Sequence, residues 1–262
     1  MSEIENIVQD MKKSGFPLEV VAGTCFRNKG WTARHQVFYH DRAENKDRYV
    51  NIAAHKVIEK PSAIFRRLNY TVIAECKKSE KAWVFYTPPS PFLTEEPDLA
   101  SIGYLNTIPS FTIDGIKSLL HNHYVAKPPS DRLGVASYVA FTGGRDSKEY
   151  GQIFSATNQV LRALQYQIEW ARSGLRSQSP NLLMIFYPAI IFDGKMYEYV
   201  LDEKENPKLM ESNYVKYEVA FQSRVKTDEF VNFLIDIITK NFLPEYLDIL
   251  EEEMQLTSKH VM

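Results

Sequence analysis

A chain of 262 residues, 44% hydrophobic and 24% charged, carries enough apolar side chain for one large core and too much for a disordered protein. A formal net charge of −2 and a pI near 6.3 exclude a global basic field, so any hold on nucleic acid must come from a local patch. Cys25 and Cys76 both lie in apolar runs, no Cys/His spacing suggests a zinc site, and both are expected to be reduced core residues.

The opening MSEIENIVQDMKK is charged from the start and lacks the apolar run and small residues of a signal peptide. No stretch reaches about 18 uninterrupted apolar residues. A cytoplasmic protein without a membrane segment is expected. Ser2 and Glu5 form a capping box, and Ile4, Ile7, Val8 and Met11 then make one apolar helical stripe ending near Gly15. A second helix follows, with Pro17 suited to its first helical position, Leu18, Val21, Ala22, Cys25 and Phe26 at helical spacing, Glu19 beside that stripe, and Gly30 as its stop. TARHQVFYH (32–40) and YVNIAAH (49–55), joined by polar DRAENKDR, read as a hairpin. A short amphipathic stretch from Ala63 to Leu68 leads into a strand, YTVIAECK, at 70–77.

From Thr87 to about Ser147 seven prolines break the pattern, and only Ile113 to Leu120 reads as a helix. This segment, about 87–147, is expected to be an insertion packed over or beside the open edge of a site, within one domain spanning 1–262. A long helix starts at Asp146, with Tyr150, Ile153, Phe154, Thr157, Val160, Leu161, Leu164 and Ile168 on its period, and stops at Gly174. Residues 181–192, the turn Asp193-Gly194 and 195–201 read as a hairpin with a type I′ turn. A strand at 214–222 and a C-terminal strand followed by a helix complete the chain. The fold class is α/β, a central mixed β-sheet flanked by helices.

The strand TVIAECKK carries charge where its apolar pattern leads one to expect core. Side chains alternate across a strand, so Glu75 and Lys77 share one face, about 7 Å apart, while Ala74 and Cys76 take the other. A carboxylate there can ligate a hard divalent cation, and a neighbouring lysine can orient the water that attacks a phosphodiester. A bare Glu-x-Lys is more often a solvated strand end with a local ion pair.

The order of helix with Glu19, hairpin with Asn51, strand with Glu75-x-Lys77, then a long helix and another strand resembles the PD-(D/E)XK nuclease superfamily, with its restriction-endonuclease-like core. SGFPLEVVAG, DRYVNIAAHK, AECKKSEKAWVFY, QIFSATNQVLRALQYQ and FYPAIIFDGKMYEYVL are similar to a group of its largely uncharacterised microbial members. The resemblance covers the first 86 residues and most of 148–262. It implies metal-dependent hydrolysis of DNA, with Mg²⁺ or Mn²⁺ as cofactor, Glu75 and a main-chain carbonyl near residue 76 as metal ligands, Lys77 as the catalytic lysine and Glu19 as the helix acid. At residue 51 the superfamily pattern has a metal-binding aspartate where this chain has Asn51. The amide keeps one carbonyl oxygen but removes a charge on which Mg²⁺ affinity depends. Asp47, four strand residues away, lies about 13 Å off. Natural loss of activity, an inactivating substitution, or a site that works with fewer charges all remain open. The same fold without chemistry, serving as a nucleic-acid-binding or scaffold module, is the alternative function.

Gln36, Arg66, Arg67, Lys78 and Lys81 are candidate DNA contacts, with Lys60 in the same basic segment, although solvation is the commoner role for such residues. Trp83 and Tyr86 fit core packing better than base stacking. The adjacent letters His121-Asn122-His123 lack the surroundings of a metal nuclease, and Gly143-Gly144 forms no phosphate loop. Gln152 and Gln159, on the long helix, fit a solvated edge better than a nucleic-acid contact. The sequence leaves oligomeric state open, a homodimer included.

Overall fold

Two helices open the chain. The Glu5 N–H donates to Ser2 Oγ and the Ser2 N–H donates to the Glu5 carboxylate, so two otherwise orphaned donors are satisfied and α1 runs Glu3–Lys13. Its apolar stripe is not core: Ile4, Ile7, Val8 and Met11 are 42 to 72% exposed. Helix α2, Phe16–Asn28, ends where Gly30 adopts φ +76°; the Trp31 N–H reaches the Phe26 carbonyl and the Gly30 N–H that of Arg27. This reversal needs a left-handed residue, which glycine supplies without strain.

The structure is a computed structural model that describes residues 2–14, 16–42, 44–60, 66–88, 103–106, 133–140, 150–175, 181–201, 205–222 and 230–261. Strands β1 (Thr32–Asp41), β2 (Lys46–Glu59) and β3 (Arg67–Lys78) form an antiparallel meander, with Ala33 opposite Ala54 and Ala54 opposite Val72. Helix α3 (Tyr150–Leu175) then crosses to β8 (Leu182–Asp193), which lies parallel to β3 along its whole length. Parallel β12 (Phe230–Thr239) follows, then antiparallel β11 (Tyr214–Gln222), and helix α4 (Leu243–Val261) comes last. The sheet order is β1-β2-β3-β8-β12-β11-β6, with β5 (Gly103–Asn106) beside the first half of β8 and β6 being Leu133–Gly134. The architecture is thus mixed α/β, a large mixed sheet with helices on both faces. One core lies against α2 and α4 (Phe26, Ile52, Val72, Ile191, Leu247), the other against α3 (Tyr39, Val50, Ile73, Val160, Leu164).

A second sheet has the order β10-β9-β4-β7, from Pro207–Glu211, Met196–Leu201, Trp83–Tyr86 and Ala136–Val139. Here the structure corrects the expected hairpin at 181–201. Strands β8 and β9 do not pair with each other; β9 pairs with β4 and β10. The chain turns a corner twice in step, with Ser79 N–H bonded to the Asp193 carbonyl and Trp83 N–H to that of Lys195, so the parallel pair β3/β8 continues as β4/β9. Asp193 and Gly194 lack the positive φ of a type I′ turn. A Cβ on Gly194 would lie 2.4 Å from the Phe192 ring and 2.7 Å from the Ser79 carbonyl, which is why the corner takes glycine. Trp83 stacks on Phe192 at 4.0 Å and is fully buried, as core packing required. The described parts of 87–147 contribute strands β5, β6 and β7 to the two sheets. Ile113 to Leu120, residues 121–123, Gly143, Gly144 and Asp146 lie outside the described residues. Phe154, placed on the apolar period of α3, is 70% exposed, because its side of the helix faces away from the sheet.

Cys25 and Cys76 are both free thiols. Behind the first core, the buried Glu253 carboxylate accepts hydrogen bonds from the hydroxyls of Tyr70 (3.1 Å) and Tyr187. Burial raises its pKa from 4.5 to about 7 against those bonds. The folded state therefore favours the protonated acid, and stability falls as pH rises from about 4.5 to about 7. Glu253→Gln keeps the acceptor and removes the charge. It is expected to stabilise the fold on the order of 3 kcal/mol at pH 8 and to leave stability near pH 4 almost unchanged, as denaturant unfolding at the two pH values would read.

Candidate functional site

On β3, Leu68, Tyr70, Val72, Ala74 and Cys76 face the first core, while Ile73 faces the second. Glu75 and Lys77 continue the Ile73 face toward α3. Strand β2 ladders with β3 only as far as Ile52 opposite Ala74, and Asn51 is the next residue. The hairpin changes face at this point. Ala33, Ile52 and Ala54 pack in the first core, but Val37, Tyr39 and Val50 pack in the second. The switch coincides with Gln36, whose φ of +47° interrupts β1 across from Asn51, between the pairs His35–Ile52 and Val37–Val50. A non-glycine residue held in that region costs on the order of 1 kcal/mol.

Where the ladder fails, side chains take over. Asn51 Oδ1 accepts from the Cys76 N–H at 2.7 Å, and the Asn51 N–H points at Glu75 Oε2 at 3.4 Å. Asn51 Nδ2 donates to Glu19 Oε1 at 2.8 Å, which brings α2 to the same point. Lys77 Nζ donates to Glu75 Oε1 and to Gln159 Oε1 of α3, both at 3.0 Å. Glu19, Asn51, Glu75 and Lys77 are thus in one connected cluster. Gln159 joins them, against the expectation of a solvated helix edge. A glutamine on a helix carries no sequence signal for a partner 82 residues away.

Glu75 is 4% exposed. Its burial raises its pKa, opposed by the Lys77 ammonium and the Asn51 N–H. Burial also raises Glu19, with the Glu75 charge adding to it and Lys77 opposing it. Glu19 Oε2 is buried and has no hydrogen-bond partner. An acceptor-only oxygen left in this state is costly unless something positive meets it. The donor chemistry fits a hard divalent cation: Glu19 and Glu75 supply carboxylate oxygens, and Mg²⁺ is commonly held by one or two carboxylates with water and substrate completing its shell. Asn51 Oδ1 already accepts from the Cys76 N–H, so it has one lone pair left to offer a cation, and no charge. Among the described residues no three His, Cys, Asp or Glu side chains gather to hold a metal, and the neutral Asn51 stands where a third acid would complete such a group.

The remaining candidates are dispersed. Arg66 and Arg67 stand at the opposite end of β3 from Lys77, about 30 Å of strand away, and Arg67 pairs with Glu59. Lys78 is exposed on the other face of β3, and Lys81 lies in the corner before β4. Asp47 bonds His40 Nδ1 at 2.8 Å and takes no part in the cluster. Gln152 Oε1 is buried without a partner, seven residues before Gln159. Gln159→Leu removes one acceptor from Lys77 and leaves Glu75 as its other partner. We expect it to lower stability by about 1 kcal/mol, which denaturant unfolding against wild type would read.

No family model, curated protein or solved structure matches this chain.

Proposed function

We propose that the protein is a metal-dependent deoxyribonuclease of the PD-(D/E)XK type, with a restriction-endonuclease-like core and Mg²⁺ or Mn²⁺ as its cofactor. The observation that carries this reading is the unpartnered, buried Glu19 Oε2 beside the Glu75–Lys77 pair. A bound divalent cation would polarise the scissile phosphodiester and lower the pKa of its bound water. Glu19 and Glu75 hold the ion. Lys77, fixed between Glu75 and Gln159, orients the attacking water and stabilises charge on the phosphate. Asn51 ties Glu19 to β3 and contributes no charge, so affinity for the ion is weaker than three acids would give.

Titration with Mn²⁺, followed by the loss of its free paramagnetic signal, tests the reading. Glu19→Gln and Glu75→Gln should each weaken binding at least tenfold, and affinity should rise with pH as both raised carboxyls ionise. Equal binding by wild type and both variants, or none at all, rejects the site.

A second reading, an inactive nucleic-acid-binding or scaffold module of the same fold, is favoured by one observation. Lys77 bridges Glu75 and Gln159, and the Asn51 side chain bridges Glu19 and the Cys76 N–H, all without a metal. Under that reading the Mn²⁺ titration is flat. Among the described residues no helix is long and apolar enough to cross a membrane.

A further inference from the structure

Toward the hairpin tip from the cluster, aromatic rings stand at the margin of the second core, Tyr166 packed against it and Phe38, Tyr49 and Trp170 exposed. Phe38 and Tyr49 are cross-strand partners with ring centroids 6.2 Å apart, and Phe38 meets Tyr166 of α3 edge-on at 6.1 Å. Trp170 follows Tyr166 by one helical turn. Phe38, Tyr49 and Trp170 are 43, 62 and 65% exposed. Edge-to-face contact among the rings leaves ring faces free for a further flat partner.

The placement of these rings relates them to the site. Of the five elements that carry a residue in or across from the cluster, three (β1, β2 and α3) also carry one of the rings, displaced in the same direction. On β1 the step is from Gln36 to Phe38, on β2 from Asn51 to Tyr49, each about 7 Å. On α3 it is from Gln159 to Tyr166, two turns or about 10 Å. The direction is fixed by α3 itself, since Arg162 reaches Asp41 and Glu44, and Glu169 reaches Arg42, all at the hairpin tip. A strand cut at Glu75 and Lys77 and continuing this way would lay its next bases on the rings.

Resting on the nuclease reading, we propose that Phe38, Tyr49 and Trp170 form a stacking platform for unpaired bases, and that the substrate is single-stranded DNA or a duplex with a frayed end. The charges around the rings favour stacking over tracking of the backbone. Arg42 is paired with Glu169, and Arg48 and Arg162 are held by Asp41 and Glu44. Base–aromatic stacking is worth about 1–3 kcal/mol per base and tolerates any sequence, whereas backbone tracking would give a steep dependence on salt.

The test is binding of a fluorescently labelled oligo(dT) of about 10 nucleotides in EDTA, by anisotropy, against a blunt duplex of the same length. Wild type should prefer the single strand, with a shallow salt dependence. Tyr49→Ala and Trp170→Ala should each weaken oligo(dT) binding roughly 5- to 150-fold, while Mn²⁺ affinity stays unchanged. Equal affinity of wild type and both variants for oligo(dT), or a preference for blunt duplex, overturns the platform. Those outcomes leave the Mn²⁺ titration to judge the metal site separately, because metal is absent from the DNA measurement. Tyr49→Trp, which keeps an aromatic face, should retain binding; loss there as in Tyr49→Ala also counts against stacking.

Discussion

Asn51→Asp is expected to unfold at lower temperature than wild type in EDTA and to recover, or exceed, wild-type stability as Mn²⁺ is added. The present amide donates Nδ2–H to Glu19 and accepts from the Cys76 N–H. An aspartate keeps the second bond, loses the first, and faces Glu19 with a like charge beside an already buried Glu75. Losing that hydrogen bond and crowding three carboxyls costs on the order of 2–4 kcal/mol at neutral pH. The sign with pH follows from the raised carboxyls. The penalty is largest above their pKa values and shrinks as pH falls and they protonate. A divalent ion reverses the penalty because ligand charge tunes affinity, and a hundredfold excess of ion over Kd restores about 2.7 kcal/mol. Thermal unfolding of Asn51→Asp in EDTA and across a Mn²⁺ series reads both halves. Unfolding that ignores Mn²⁺ would favour the scaffold reading.

Lys77→Met carries the second large effect. It leaves Glu75, 4% exposed, without its cation and leaves Gln159 without a donor. Breaking one partner of a buried pair costs about 3–5 kcal/mol; Lys77 is itself 24% exposed, so about 2–3 kcal/mol is expected here. Glu75 then answers by holding its proton to higher pH, so the loss is greatest at alkaline pH and fades on acidification. Adding Glu75→Gln to Lys77→Met should recover most of the stability while leaving no activity. A denaturation cycle on the two single variants and the double, at pH 5 and pH 8, measures the coupling. Additive losses would mean that Lys77 and Glu75 do not act as a pair.

Local patterns made some of this legible in the sequence. The capping box of α1, the Gly30 reversal, the β1/β2 hairpin and the alternation of Glu75 and Lys77 against Ala74 and Cys76 are all set by neighbours a few residues apart. What failed were statements about distant partners. An Asp-Gly step between two apolar strands suits a hairpin, but whether β8 pairs with β9 or with β3 is settled by the rest of the sheet. Strands β4 and β10, of four and five residues, are too short for periodicity to announce them. The apolar stripe of α1 and Phe154 of α3 show that period marks a helix without fixing what covers it. At the site, the patterns put Glu19, Asn51, Glu75 and Lys77 on a helix and two strands, and it was the resemblance to the PD-(D/E)XK superfamily that singled them out as a set. The role of Asn51 as a bridge between Glu19 and the Cys76 N–H, the switch of face at Gln36 and the partnership of Gln159 with Lys77 depend on side-chain geometry that no spacing encodes.

The most direct measurement is nicking of supercoiled plasmid in Mn²⁺ by wild type, by Asn51→Asp and by Asn51→Asp combined with Glu75→Ala. Wild type should nick slowly, Asn51→Asp faster, and the combined variant not at all, with EDTA stopping every reaction. No nicking by either wild type or Asn51→Asp, or nicking that survives the loss of Glu75, would contradict assignment of this cluster as a nuclease site.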